Sequence, residues 1–162
     1  MFREMRRKKQ LLSEEISREI LQRNTSGVLS LLGDGGYPYG VPLSYVLAGD
    51  KLFFHCAKTG HKIDAIRREE KASFCVIDQD KVVSEEYTTY FRSVIAFGRV
   101  RILENEDEKR KAIRILTEKY SGDQGAEGME KEIETHFANL CMLQFDLEQL
   151  TGKESIELVN MR

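Results

Sequence analysis

Hydrophobic and polar residues alternate in extended runs along most of the chain, and this period of two predicts a protein built mainly from β-strands. Six runs have the length and the turn-forming borders of strands, and a seventh lies near the C-terminus. The predicted strands cover Gly27–Leu32, Tyr39–Leu47, Lys51–Ala57, Lys71–Ile77, Ser93–Leu103, Leu140–Leu147 and Leu150–Val159. Because the connections are short, we expect an antiparallel β-barrel whose first three strands form a meander.

Four segments have the period of helices instead. They are 13–24, with Ser13 as N-cap, 60–68, 105–120, with Asn105 as N-cap, and 129–139. We expect these helices to plug or flank the barrel. Pro38 and Pro42 favour an edge strand for the segment that contains them, since proline cannot donate to a ladder. Gly98 lies inside a long predicted strand and indicates a bulge or bend.

Composition and charge narrow the class of protein. The 162 residues fit one domain, 1–162, whose basic first ten residues are expected to form a flexible extension. With a net charge of −2, the chain lacks the positive charge that nucleic acids or anionic membranes attract. No signal-peptide core or membrane-length apolar run is present, so we expect a cytoplasmic protein. Cys56, Cys75 and Cys141 are far apart in sequence and predict reduced core thiols, not a disulfide framework or a zinc site.

The segment from His55 to Ile66 carries the strongest chemical signal. A strand runs into a tight turn that opens a short helix, and the N-terminus of a helix favours anions. Gly60 allows close approach of a ligand to the backbone, while His61 and Lys62 add donors at the same end. These features predict a phosphate cradle. The alternative is a solvated basic turn in which Lys62 pairs with a nearby carboxylate.

Four stretches, which lie in the expected order along the chain, carry a resemblance to a known family. They are FHCAKTGHKIDAIRREEKASFCVI (54–77), YPYGVPLSY (37–45), YFRSVIAFG (90–98) and LTGKES (150–155). The chain resembles the pyridoxamine 5′-phosphate oxidase-like proteins, and within them the subgroup related to 5-nitroimidazole resistance proteins. The resemblance extends over about residues 5 to 159.

The resemblance implies a flavin mononucleotide (FMN)-binding split β-barrel, mostly β with flanking helices, that works as a homodimer with flavin at the subunit interface. It places Gly60, His61 and Lys62 at the FMN phosphate. It also places several residues beside the flavin or its ribityl chain, and one of them, Ser93, would reach the site from its own or the partner subunit. These residues are Pro42, Leu43, Ser44, Tyr45, His55, Cys56, Ala57 and Ser93.

The expected function is a flavin-dependent oxidoreductase that acts on a small organic molecule, with a nitroimidazole as one candidate. The basic residues that would hold the phosphate of a vitamin substrate are not identifiable, so we do not expect pyridoxamine phosphate oxidation. No catalytic residue or metal site stands out, which is equally consistent with a flavin-binding or redox-sensing protein without turnover. A third hypothesis is a haem-binding split barrel, for which His55, His61 and His136 are the available histidines.

Overall fold

The computed structural model describes every residue from Met1 to Arg162. The eight strands are β1 (Leu11–Leu12), β2 (Ser26–Leu32), β3 (Pro38–Ser44), β4 (Val46–Ala48), β5 (Lys51–Ala57), β6 (Lys71–Val83), β7 (Thr88–Ile102) and β8 (Leu140–Glu154). The five α-helices are α1 (Glu14–Arg23), α2 (His61–Arg68), α3 (Glu106–Ser121), α4 (Ala126–His136) and α5 (Ile156–Asn160). None of the helices combines the length and apolar character that crossing a bilayer requires.

All strand pairs are antiparallel, and the sheet has the order β3-β2-β6-β7-β8-β5-β4, with β1 added along β8. The two edge strands, β3 and β4, follow one another in the chain with only Tyr45 between them. The sheet must therefore curl until its edges meet at this residue, which makes a barrel that is split along one seam. This confirms the predicted mostly-β barrel with flanking helices.

Three details of the predicted strands are wrong. The segment 39–47 is two strands, because the chain leaves the ladder at Tyr45. The first three predicted strands are therefore not a meander: β2 pairs with β3, β4 pairs with β5, and these two hairpins lie at opposite ends of the sheet order. The predicted sixth and seventh strands are one, since β8 stays paired with β7 through Glu154 before α5 begins.

The seam is held by the hydroxyl of Tyr120 at the end of α3. This oxygen accepts from the Tyr45 N–H at 3.0 Å and lies 2.6 Å from the Tyr45 carbonyl oxygen and 2.5 Å from that of Thr25. It thus adds hydrogen bonds at the break in the strand, where the Tyr45 N–H otherwise has only a long bond of 3.4 Å to the Thr25 carbonyl oxygen. The ring of Tyr45 points inward, fully buried, and its hydroxyl donates to the carbonyl oxygen of Leu21 at 2.5 Å.

We expect Tyr120→Phe to lower the free energy of unfolding by about 1–2 kcal/mol, because it removes the shorter of the two hydrogen bonds that the Tyr45 N–H donates. Urea unfolding followed by circular dichroism measures this loss. Tyr37→Phe is the matched control, since the Tyr37 side chain is 76% exposed. Equal stability of the two variants would show that the hydroxyl of Tyr120 does not stabilise the seam.

Two separate hydrophobic cores organise the molecule. The first fills the barrel and includes Phe54, Phe74 and Phe145 together with residues of α1 and α2. The second lies between the outer face of β5 and β8 and the helices α3 and α4, with Phe53 and Met142 from the strands. Because this second core fixes α3 and α4 over β5, it also fixes the walls of the cleft described next.

Candidate functional site

A cleft of about 660 Å³ opens between the end of β5 and the helices α3 and α4. Its size lies within the range that is typical of cofactor and small-molecule sites. Just over half of the side chains that line it are apolar, and its polar groups come from both the barrel and the helices. The lining residues are Ser44, His55, Cys56, Ala57, Ile113, Leu116, Thr117, Tyr120, Ser121, Glu132, Ile133, His136, Asn139, Leu140 and Met142.

Four of the residues predicted for the site come together in this cleft. His55 and Ala57 project from the same face of β5 as Phe53, but unlike Phe53 they are exposed. Cys56 between them is half-buried, and Ser44 reaches the cleft from the end of β3. The alternation along β5 therefore gives the cleft a floor with an exposed imidazole.

The opposite wall was not predicted from the sequence. Helices α3 and α4 contribute Thr117, Tyr120, Glu132 and His136, and the imidazole Nε2 of His136 lies 2.9 Å from the Glu132 carboxylate. The spacing of four residues on one helix predicts that Glu132 and His136 are neighbours. Nothing local indicates that this helix covers the end of β5, because that placement depends on the second core.

The start of α2 follows the cleft floor after only three residues, Lys58, Thr59 and Gly60. Gly60 is the N-cap with a φ of +135°, a conformation that favours glycine, and no side chain caps the helix. The first N–H groups of α2 are left without a helix or side-chain partner and carry the partial positive charge of the helix end.

Lys62 stands at this helix start, half-buried and without a carboxylate partner. The alternative of a basic turn neutralised by a nearby carboxylate is therefore wrong for Lys62. Burial raises the pKa of the Cys56 thiol to about 12, and neighbouring Cys141 adds to this, while the charge of Lys62 opposes it. Lys62 is thus close enough to the floor of the cleft to act on it electrostatically.

His61 and Tyr45 are engaged within the protein. The imidazole of His61 stacks on Tyr39 with 4.0 Å between ring centroids, and its Nε2 accepts from the backbone N–H of Asp34 at 3.2 Å. The side chain thus lies against the turn between β2 and β3. Tyr45 fills the barrel, and Leu43 also packs on the barrel core. The side chains of these three residues are therefore used for packing.

Pro42 and Ser93 lie outside the cleft, on the outer face of the sheet. Pro42 pairs with Val28, Val28 with Cys75, and Cys75 with Ile95, which makes an apolar row across four strands. Ser93 is opposite Ile77 in the next row. Four large apolar side chains of this surface, here called the apolar face, are well exposed: Val28 (41%), Ile77 (65%), Ile95 (41%) and Phe97 (42%).

Solved structures with the same fold are numerous, although their sequences are distant. A protein from Bacteroides thetaiotaomicron described as a 5-nitroimidazole antibiotic resistance protein is 22% identical, with a TM-score of 0.72 over 89% of this chain and 86% of that chain. A conserved Mycobacterium tuberculosis protein is 16% identical, with a TM-score of 0.79 over 93% and 90% of the two chains. A protein from Mycobacterium smegmatis that binds FAD and haem is 23% identical, with a TM-score of 0.74 over 91% and 73%.

Comparison with curated protein sequences gives no match. The family model for pyridoxamine 5′-phosphate oxidase, in contrast, matches residues 13–154. This region runs from the N-cap of α1 to the last residue of β8 and so contains the whole barrel except β1. On this match, the chain belongs to the pyridoxamine 5′-phosphate oxidase family.

Proposed function

We propose that this protein is an FMN-binding oxidoreductase that acts on a small organic molecule. The observation that carries the proposal is the uncapped start of α2, with the unpaired cation Lys62; the helix begins four residues after Ala57, which lies on the floor of a cleft large enough for a flavin. A helix N-terminus and a lysine are a suitable pair of donors for a phosphate monoester. Membership of the pyridoxamine 5′-phosphate oxidase family supports the same assignment.

The chain offers suitable residues for both the phosphate and the ring system of FMN. The phosphate would accept from the backbone N–H groups at the start of α2 and from Lys62. The ring system would lie against the floor formed by His55 and Ala57, with Ser44 at its side and the apolar side chains of Ile113 and Leu116 opposite. When bound, the flavin supplies hydride or electron transfer, and the protein positions it and excludes water.

The polar groups in the cleft are candidates for substrate contacts. His55 offers an exposed imidazole, and the Glu132–His136 pair presents a second one from the opposite wall. A flat aromatic acceptor that carries a nitro group is our preferred substrate class, because it combines an apolar ring with hydrogen-bond acceptors that match these donors. The related fold of a protein described as a 5-nitroimidazole antibiotic resistance protein supports this choice.

The test of the cofactor is an absorption spectrum of the purified protein after incubation with excess FMN and gel filtration. We expect a flavin spectrum to remain with the protein, and FAD in a parallel sample to be retained less well, because the cradle fits a terminal phosphate. Protein that retains neither flavin would overturn the proposal. Equal retention of FMN and FAD would support flavin binding but overturn the proposed specificity for FMN.

Turnover is tested separately from binding. Flavin reduced on the protein should be reoxidised by a nitroaromatic compound, with product accumulating over many cycles of reduction. A single reoxidation without continued product formation would instead indicate a flavin-binding or redox-sensing protein.

Haem is the second candidate ligand, and a specific observation favours it. His55 and His136 both line the cleft, whereas His61 is engaged by the Asp34 turn. The Mycobacterium smegmatis protein with the same fold binds haem as well as FAD. A haem titration that gives no shift of the Soret band would remove this candidate.

We further propose that the protein is a homodimer that associates through the apolar face, and that the partner subunit completes the flavin site, as the family resemblance implies. An exposed apolar surface of this extent is typical of a contact with another molecule, and a two-fold symmetric dimer would cover it on both subunits. Pro42 and Ser93, which lie outside the cleft of their own chain, would then line the interface.

If both subunits build the flavin site, the apparent affinity for FMN should rise with protein concentration. Ile95→Glu places a charge in the apolar face and is expected to yield monomers with weakened FMN binding. Thr135→Glu on the exposed side of α4 adds the same charge elsewhere and is the control. Sedimentation with a parallel FMN titration measures both effects, and an Ile95→Glu monomer that binds FMN as tightly as the unchanged protein would contradict the shared site.

A further inference from the structure

Cys56 and Cys141, separated by 85 positions in sequence, face each other directly in the sheet. Cys56 on β5 is the ladder partner of Cys141 on β8. Residues directly opposite in an antiparallel ladder have Cα atoms about 4.5–5.5 Å apart, which falls within the range of about 4.4–6.8 Å that disulfides span. Side chains of directly opposed residues also lie on the same side of the sheet, so the two sulfurs are neighbours. A bond between them therefore requires no rearrangement of the strands.

The two cysteines differ in access. Cys56 is half-buried and lines the 660 Å³ cleft, so a small molecule in the cleft can reach its sulfur. Cys141 is buried and does not line this cleft. Burial raises the pKa of the Cys56 thiol, and the positive charge of Lys62 opposes this shift only in part. This asymmetry assigns different roles to the two sulfurs.

We propose that Cys56 and Cys141 form a reversible dithiol–disulfide couple, in which Cys56 is the attacking thiol and Cys141 the resolving thiol. The oxidant is a low-molecular-weight disulfide that enters the cleft. The Cys56 thiolate attacks one sulfur of this disulfide, a mixed disulfide forms, and one thiol leaves. Cys141 then loses its proton and attacks the Cys56 sulfur, and the second thiol leaves. The protein gives up two electrons and two protons, and the oxidant becomes two thiols.

The third cysteine provides an internal comparison. Cys75 lies on the outer face of the sheet, and its ladder partners are Val28 and Ile95. With no thiol opposite, Cys75 cannot form the same bond within the chain. The burial that raises the pKa of Cys56 predicts slow attack at neutral pH, so the couple responds to a sustained oxidant and not to a brief one.

The experiment uses native, flavin-free protein incubated with oxidised glutathione, followed by intact-mass measurement and peptide mapping. We expect the unchanged protein and Cys75→Ser to lose two hydrogens and to contain a peptide linked through Cys56 and Cys141. Cys141→Ser should instead gain one glutathionyl group on Cys56, because the resolving thiol is absent. Cys56→Ser should keep Cys141 reduced, because that sulfur is buried.

Two results would overturn the proposal: native protein that keeps both thiols while urea-unfolded protein is oxidised, or a linked peptide that contains Cys75. The map of the unchanged protein is decisive even if a serine variant folds poorly. Since no flavin is present in the assay, a negative result here says nothing against FMN binding. A protein that fails to retain FMN can still form the disulfide.

Discussion

Gly98→Ala is expected to destabilise the protein by about 3 kcal/mol or more, because a Cβ added here would make the shortest contact found at any glycine of the chain. A Cβ at this position would lie 2.0 Å from the carbonyl oxygen of Asp146 and 2.6 Å from the ring of Phe145. The first of these atoms belongs to the backbone of β8, the central strand that pairs with β1, β5 and β7, so a side-chain rotation cannot relieve the clash. Urea unfolding of the two proteins measures the difference.

The register explains why the strands approach so closely there. The pairing of β7 with β8 shifts between Phe97 and Gly98, so Gly98 sits at the bulge that its place in the sequence predicts. The control is Gly128→Ala in α4, where nothing lies within 4 Å of the added Cβ. Alanine is the better helix former, so this variant should be as stable as the unchanged protein or about 1 kcal/mol more stable. Similar stability of the two variants would show that the strands do not meet tightly at the bulge.

The elements that the sequence predicts well are those with local causes. Ser13 and Asn105 cap α1 and α3 as expected, because a side-chain oxygen that accepts from the first turn needs no distant partner. The strand β5 and the helix α2 were predicted with nearly correct bounds, since a change of period and a glycine mark the junction. The fold class followed from the number and spacing of such strands.

Features that depend on distant residues were not predictable in this way. The break at Tyr45 exists because Tyr120, 75 positions later, supplies hydrogen bonds there. The continuity of β8 depends on its partners, because β7 pairs with it on both sides of the shifted register. The placement of α3 and α4 over β5 depends on a core that joins residues from Val46 to Met142. Local propensity contains none of this information.

In the candidate site, too, the sequence predicted positions along the chain but not contacts with distant residues. The family resemblance gave positions, and Ser44, His55, Cys56 and Ala57 do share one cleft. A position does not determine where a side chain turns. His61 follows the N-cap of α2 as predicted, yet its ring stacks on Tyr39 and accepts a hydrogen bond from the Asp34 N–H, two contacts with residues far from it in sequence. This leaves Lys62 as the side chain on which the proposed phosphate site depends.

Lys62→Ala is therefore expected to weaken FMN binding by about 1.5–3 kcal/mol, the range for a hydrogen bond to a charged group, which corresponds to about a 10- to 150-fold rise in Kd. Fluorescence titration with FMN measures the change. Lys111→Ala, an exposed lysine on α3, has the same loss of charge and should leave the Kd unchanged.

Riboflavin separates a phosphate contact from a general effect on the cleft, since it has the same ring and ribityl chain without the phosphate. If Lys62 holds the phosphate, Lys62→Ala should weaken FMN binding and leave riboflavin binding as it was, so that the two ligands bind the variant with more similar affinity. An equal loss for both ligands would mean that Lys62 acts through the floor of the cleft, where its charge already reaches Cys56. No loss for either would show that Lys62 contacts neither the phosphate nor the rest of the flavin, and would overturn its place in the proposed site.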